Sequence, residues 1–358
     1  MAGSKAVSAA LGHGLRDNGW LIALALIHTA TAGMIAVTRD LPYFNGMFRS
    51  LTNLVTILIP VYLMVLLIWT TARLALREPR SRPIRTLLAE IRDILCDLPR
   101  MASGLIAMTA TVMFFNAFAY LKAVLPELAP FTWDTTLANL DRTLHGGTDP
   151  WRLLMPLLGT PLATTAINAA YHFWFFLLYF FLFVSSFTRV NPEARRAYLL
   201  AGGLIWALCG NLTAILFSSA GPCYYALLGL GDRFEPLMTA LRQFNETSPV
   251  WSLNVQNLLW SGYTAESTMR GISAFPSMHV ASTTLMMLYA FTWKRWAGWS
   301  MVVFLGLIMA GSVHLGWHYA VDGYASIALT LACWRVARLV TSSGRPAPAE
   351  AAPQPAGM

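Results

Sequence analysis

Long apolar runs separated by short basic connections set the pattern of this chain. Mostly hydrophobic stretches fall at residues 20–37, 51–76, 101–121, 161–187, 197–220, 278–293, 297–313 and 320–340, the sixth and seventh being the shortest. About 20 predominantly apolar residues carry a helix across a bilayer, so the pattern predicts eight spans. Between the second and third runs the period changes. Ile84, Leu87, Leu88, Ile91, Ile94 and Leu95 recur at helical spacing among charges over residues 82–97, which predicts an amphipathic helix lying on the inner membrane surface. The two longest connections, 122–160 and 221–276, carry helical pieces near 135–144 and 235–244 that are placed to cover a site. The tail from Ser342 is rich in Pro and Ala without apolar periodicity, and disorder is expected there.

Composition agrees with this reading. Mean hydropathy is +0.53 and 56% of residues are hydrophobic, beyond what a soluble domain carries. The predicted class is therefore all-α, a polytopic membrane bundle of about eight transmembrane helices. The net charge of +8 at first suggests a nucleic-acid partner, but its distribution argues against one. Arg73, Arg77, Arg80, Arg82, Arg85, Arg92 and Arg100 crowd the second connection, Arg189, Arg195 and Arg196 the fourth, and Lys294 and Arg295 the sixth. Arg335, Arg338 and Arg345 follow the eighth run. Eight spans put all of them on one side, as the positive-inside rule requires. The expected location is a bacterial inner (plasma) membrane, with both termini in the cytoplasm and the long connections facing the periplasm or exterior. Cys223 alone of the four cysteines falls outside, so no internal disulfide is expected. The first run is read as a retained signal-anchor, because it stays apolar past Ala30-Thr31-Ala32.

Polar chemistry concentrates at two points on that outer side. Phe275-Pro276-Ser277-Met278-His279 opens the sixth run, and Gly316-Trp317-His318-Tyr319-Ala320-Val321-Asp322 opens the eighth. On a helix, His318 and Asp322 at i, i+4 share a face. A carboxylate accepting from one imidazole nitrogen sets the tautomer and leaves the other nitrogen as a directed nucleophile. His279 arrives from a different helix start and suits the general acid for a departing alkoxide. Ser277 and the amides opening the sixth span suit phosphate oxygens, since a helix N-terminus favours anions.

These two segments resemble the second and third signatures of the type 2 phosphatidic acid phosphatase superfamily, and within it the inositol phosphorylceramide synthases, which favour Phe-Pro-Ser-x-His. The resemblance implies that His318 is the nucleophile forming a phosphohistidine, that Asp322 orients it and that His279 is the acid. It implies a six-helix phosphatase-type core, here residues 101–341, with residues 1–100 as a two-span extension carrying the amphipathic helix and 342–358 as the disordered tail. It also implies a lipid-linked phosphate donor (phospholipid, sphingolipid or polyprenyl phosphate) with water or a hydroxyl as acceptor.

Two family arginines are missing. The first signature, Lys-x6-Arg-Pro, is reduced to Lys122 followed six residues later by Ala129-Pro130, and the Ser-Arg opening the third is Gly311-Ser312. Arg270, Lys122 and Arg142 are the candidate replacements, since guanidinium groups suit bidentate phosphate recognition; Lys122, Arg270 and Ser277 form the predicted substrate-binding set. No cofactor is called for, and a histidine nucleophile with a histidine acid needs no divalent ion.

Competing readings exist for several residues. His314, His318 and Asp322 at four-residue intervals would also suit a metal, and His314 alone suits a supporting hydrogen bond. His28 and His172, inside spans, suit helix–helix bonds, with His172 the nearer to substrate. Tyr171 to Phe176 reads as lipid-facing or packing aromatic surface, and Asp134, Asp141 and Arg142 as a salt-bridge set. The segment from Ser218 to Tyr225 is either a turn or part of an acyl entry. The alternative from another class is a transporter or channel with a non-catalytic histidine cluster.

Overall fold

The computed structural model describes residues 2–43, 83–265 and 271–342, with isolated positions between 56 and 72. Nearly all of the second predicted span, Arg270 and the tail beyond Ser342 lie outside the described residues. The rest is helical: α1 (Ala2–Asp17), α2 (Gly19–Thr38), α3 (Pro83–Cys96), α4 (Leu98–Leu128), α5 (Asp134–Leu144), α6 (Pro150–Leu158), α7 (Pro161–Phe187), α8 (Pro192–Ala207), α9 (Glu235–Thr247), α10 (Trp251–Thr264), α11 (Met278–Phe291), α12 (Arg295–His314) and α13 (Ala320–Ser342). A wide turn at Leu208–Thr213 extends α8 to Leu216. This is an integral membrane protein. Among the described residues, α2, α4, α7, α8 with its extension, and α12 are each long and apolar enough to cross a bilayer. The sixth predicted span is the 14-residue α11, and the eighth is the 23-residue α13.

Sequence explains the helix limits. Asp97 accepts from the amide of Arg100 with Pro99 in the first turn of α4, Thr160 from Ala163 before Pro161, and Asn191 from Ala194 before Pro192. Each supplies an acceptor to an orphan amide, and proline costs nothing where no amide is needed. α3 forms where the apolar period predicted it.

α11 packs along α12 and α13, α13 along α8, α4 along α2, and α7 against α12. Small hydroxyl residues close the α11–α13 seam: Ser326 donates to the Ser277 carbonyl at 2.9 Å and Thr330 to that of Ala281 at 3.3 Å. Such short polar side chains let membrane helices approach closely. His28 bonds Asn211 at 3.0 Å and stacks on Phe114, so it ties α2 to α8, as a histidine inside a span was expected to do.

Among the described residues, Arg100, Arg189, Arg195 and Arg196 gather with Val340 and Thr341 at the end of α13, whereas both signatures lie at helix starts, before α11 and α13. At the basic end, buried Arg195 donates to Asp17 at 2.7 Å, to Asn18 and to the Ser186 carbonyl. Arg196 shares Asp17 at 3.1 Å. These bonds pin the α1–α2 corner to the start of α8.

Candidate active site

His318 does not sit on a helix. α12 ends at His314, Gly316 takes φ +75°, and the amides of Trp317 and His318 both return to the Ser312 carbonyl. This turn presents His318 just before α13 begins at Ala320. Asp322, in the first turn of α13, reaches back: its Oδ2 accepts from the Tyr319 amide at 3.1 Å and from His318 Nδ1 at 3.3 Å. The predicted i, i+4 contact is therefore made by a helix-capping carboxylate rather than along one helix face. Nδ1 is thereby the donor nitrogen, and Nε2 carries the lone pair. The carboxylate is fully buried, so the pairing is not dissipated by water.

The second signature is brought to the same place. The Ser277 amide donates to the Asp322 carbonyl at 3.4 Å, and Ser277, fully buried, caps α11 through the Val280 amide. The first turn of α11 thus lies beside the first turn of α13. His279 is held in an aromatic cage from α7, stacked on Tyr171 at 4.2 Å and against Trp174 at 4.1 Å. Trp174 is in turn fixed by its indole N–H to Ser282 Oγ at 2.9 Å. His318 and His172 lie within electrostatic reach of His279. His172 uses Nδ1 on the Asn168 carbonyl of its own helix, which leaves Nε2 as its outward nitrogen. The aromatic run is thus divided: Phe173 and Phe175 are exposed, whereas Tyr171 and Trp174 are buried against His279.

Two aspartates from the connection between α4 and α7 organise both loops. Asp134 accepts from the amides of Ala220 and Gly221, each at 2.8 Å, and from the Tyr319 hydroxyl at 2.8 Å. Asp141 accepts from the amides of Ala320 at 2.9 Å and Val321 at 3.0 Å, capping the helix that carries Asp322. Burial pushes both carboxyl groups above the usual range, and the amide donors pull them back. Each oxygen of either group accepts a hydrogen, an arrangement made for the ionised form. Arg142 bonds the Gly147 carbonyl instead, so the expected salt-bridge set is a pair of backbone clamps. Their partners are distant amides, and spacing gives no sign of them.

The segment after α8 joins the two signatures. Ser219 accepts from the Ala274 amide through its carbonyl and from the Phe275 amide through Oγ, and the Cys223 amide donates to the Gly316 carbonyl at 2.8 Å. Gly221 has φ +101°, and a Cβ there would lie 2.5 Å from the Trp317 carbonyl oxygen. No side chain fits between these loops.

Lys122 stands near the C-terminal end of α4, its stem against Gly271, the first described residue after Arg270. His314 Nε2 bonds Thr164 Oγ1 at 2.9 Å, which ties the end of α12 to α7. Among the described residues, no three His, Cys, Asp or Glu side chains are grouped to hold a metal.

Below His279 the membrane interior contains an apolar cavity of about 430 Å³ between α2, α4, α7, α8 and α11. Trp174, Ser282, Phe114, Phe118, Trp206 and Gly202 are among its lining residues.

Fold and site together define a polytopic membrane protein with a buried carboxylate–histidine pair facing a second, caged histidine. Residues 135–336 match the family model of the PAP2 superfamily, and the chain belongs to that superfamily. Membership supports a phosphatase- or phosphotransferase-type function on lipid phosphates, with water or a hydroxyl as acceptor, and favours catalysis over transport. No curated protein and no solved structure matches the chain.

Proposed function

We propose that the protein moves a phosphoryl-containing group from a membrane lipid through a phosphohistidine on His318, on the outer face of the membrane. The observation that carries this reading is the Asp322 Oδ2 contact to His318 Nδ1, which leaves Nε2 free. Nε2 attacks phosphorus and forms the N–P bond as the P–O bond to the leaving group breaks. His279 gives its proton to the departing oxygen. It then takes a proton from water or an alcohol, whose oxygen attacks phosphorus and releases His318. Asp322 keeps Nδ1–H in place and stabilises the positive ring that forms, the role a buried carboxylate plays beside a reacting imidazole. The amides opening α11, set by the Ser277 cap, are suited to the phosphoryl oxygens.

The donor is a phospholipid, sphingolipid or polyprenyl phosphate, as in the inositol phosphorylceramide synthases that the signatures resemble. The apolar cavity under His279 supports a lipid donor. Lipid tails are as apolar as its walls, so the cavity contributes position rather than hydrophobic driving force. Gly202 lines it, and the nearest atom to an added Cβ is 3.9 Å away. Gly202→Leu is expected to lower kcat/KM for a long-chain lipid phosphate by about tenfold through misplacement, while a short-chain soluble analogue is turned over normally. Equal losses on both substrates would remove the tail from this cavity.

Positive charge must come from outside the missing arginines. Lys122→Ala or Arg270→Ala is expected to lower turnover at least about tenfold, roughly 1.4 kcal/mol of transition-state stabilisation. Arg142→Ala is expected to do less, because that guanidinium holds its own loop. Unchanged rates in both Lys122→Ala and Arg270→Ala would mean that other groups neutralise the phosphate. The acceptor is tested by giving purified enzyme labelled lipid phosphates with and without alcohols and following the label. Release as inorganic phosphate marks a phosphatase, and transfer to the alcohol marks a phosphotransferase. Label that stays on the donor in both arms would overturn the reading.

A further inference from the structure

At the far end of α13 a second cavity, about 690 Å³, lies between the α1–α2 corner, the start of α4, the connection from α7 to α8 and the last turn of α13. α13 has 23 residues, about 35 Å at 1.5 Å rise per residue. His318 stands just before its start, so the cavity is about one bilayer core away from that histidine. Unlike the tail cavity it is lined by charge. Arg16, Arg100, Arg189, Arg195 and Arg196 contribute to its wall, and they outnumber the carboxylates at or beside it, Asp17, Asp97 and Glu193.

Most of that charge is committed to the fold. Arg195 and Arg196 share Asp17 at 2.7 and 3.1 Å, and Arg189 pairs with Asp97 at 2.5 Å. Ser103 also spends its hydroxyl on Asp17. Two guanidinium groups are left over. Arg16, on α1, is exposed and has no carboxylate partner among the described residues. Arg100, on α4, gives Nε to the Phe187 carbonyl at 2.8 Å; its fork is thereby fixed, and it too has no carboxylate partner among the described residues. α1 packs along α4, which keeps both cations at this cavity. Like charges held at one concavity repel unless an anion joins them, and guanidinium groups suit the oxygens of a phosphate.

The surroundings say where that phosphate comes from. Trp20, in the first turn of the membrane span α2, lines the cavity and is 60% exposed. An indole at a span end marks the level of the lipid head groups. Pro99 and Val340 add apolar wall. A phospholipid brings a phosphate to this depth with its glycerol beside such a wall. A zwitterionic head group would also bring an ammonium among arginines, so an anionic one is favoured.

We propose that this cavity binds the phosphodiester head group of an anionic phospholipid, from the leaflet opposite His318, between Arg16 and Arg100. Basic pockets between membrane helices suit such head groups. The lipid is a bound component and not the donor, and the proposal does not rest on the phosphoryl-transfer reading.

The test is native mass spectrometry of the delipidated full chain in nonionic detergent, titrated with phosphatidylglycerol or phosphatidylcholine. Phosphatidylglycerol should bind at least about fivefold more tightly, the effect of about one basic contact. Arg16→Gln should weaken it about fivefold, and Arg16→Gln/Arg100→Gln should remove the preference. Arg16 has no partner in the fold to lose, so its variant should unfold at the wild-type temperature without lipid. Lys122→Ala, at the other end of the bundle, should keep the preference. Equal binding of the two lipids by wild type would overturn the inference, as would undiminished phosphatidylglycerol binding in both arginine variants. Loss in Lys122→Ala with retention in the arginine variants would place the lipid at the candidate active site instead. Displacement by an equal concentration of inorganic phosphate or glycerophosphoglycerol would assign the cavity to a soluble phosphate and overturn the lipid source.

Discussion

His318→Ala is expected to lower turnover by at least about 10³-fold while leaving the protein folded. Removing a covalent nucleophile takes away the intermediate itself, and what remains is binding and electrostatics. The fold should tolerate the change, because the His318 amide, not its ring, returns to Ser312. Asp322→Asn is the companion variant. Its carboxamide fills the same space, but it can set its NH₂ against Nδ1 and reverse the tautomer, so activity should fall by about 10²–10⁴-fold. His279→Ala should slow the reaction most for poor leaving groups, since a good leaving group needs little protonation. Initial rates on phosphate esters of graded leaving-group pKa check this. A uniform loss across the series would take His279 out of the acid role.

Asp134→Ala is expected to have the largest effect of any residue outside the histidine–aspartate set. Two backbone amides and the Tyr319 hydroxyl converge on this carboxylate, which is 1% exposed. Each orphaned buried donor costs about 1–3 kcal/mol, and three of them, after partial relaxation, amount to at least about 3 kcal/mol. Thermal unfolding in detergent should show this as a clear fall in Tm. Activity of the surviving folded fraction should fall by about 10²-fold as well, because Tyr319 directly follows His318, the proposed nucleophile, and a shift of about 1 Å is enough for such a loss. A wild-type Tm with reduced activity would assign Asp134 to the chemistry. Wild-type values for both would remove the clamp.

The framework and the candidate site residues were legible for different reasons. Spans were readable because lipid demands long uninterrupted apolar runs, and α3 because charges interrupt its apolar period every turn. His318, Asp322 and His279 stood out because charged and imidazole groups are costly beside lipid. The supports of those groups were not legible. Asp134 and Asp141 spend their oxygens on amides far along the chain, a use that no spacing records. Tyr171 and Trp174 sit in the same aromatic run as Phe173 and Phe175, and only the neighbouring helix decides which rings meet His279. The turn at Gly316 moved His318 off the helix that the i, i+4 spacing suggested. α10 escaped notice because Ser252, Asn254, Gln256 and Asn257 interrupt its apolar residues and make the stretch look like a loop.

Rapid-quench labelling tests the central claim most directly. Wild-type enzyme is mixed with a lipid phosphate carrying radioactive phosphorus, stopped in alkali within one turnover, digested and mapped. The predicted result is acid-labile, alkali-stable label on His318 that appears before product and is absent in His318→Ala. Product forming at the full rate with no label on the protein, or label persisting in His318→Ala, would contradict the phosphohistidine account.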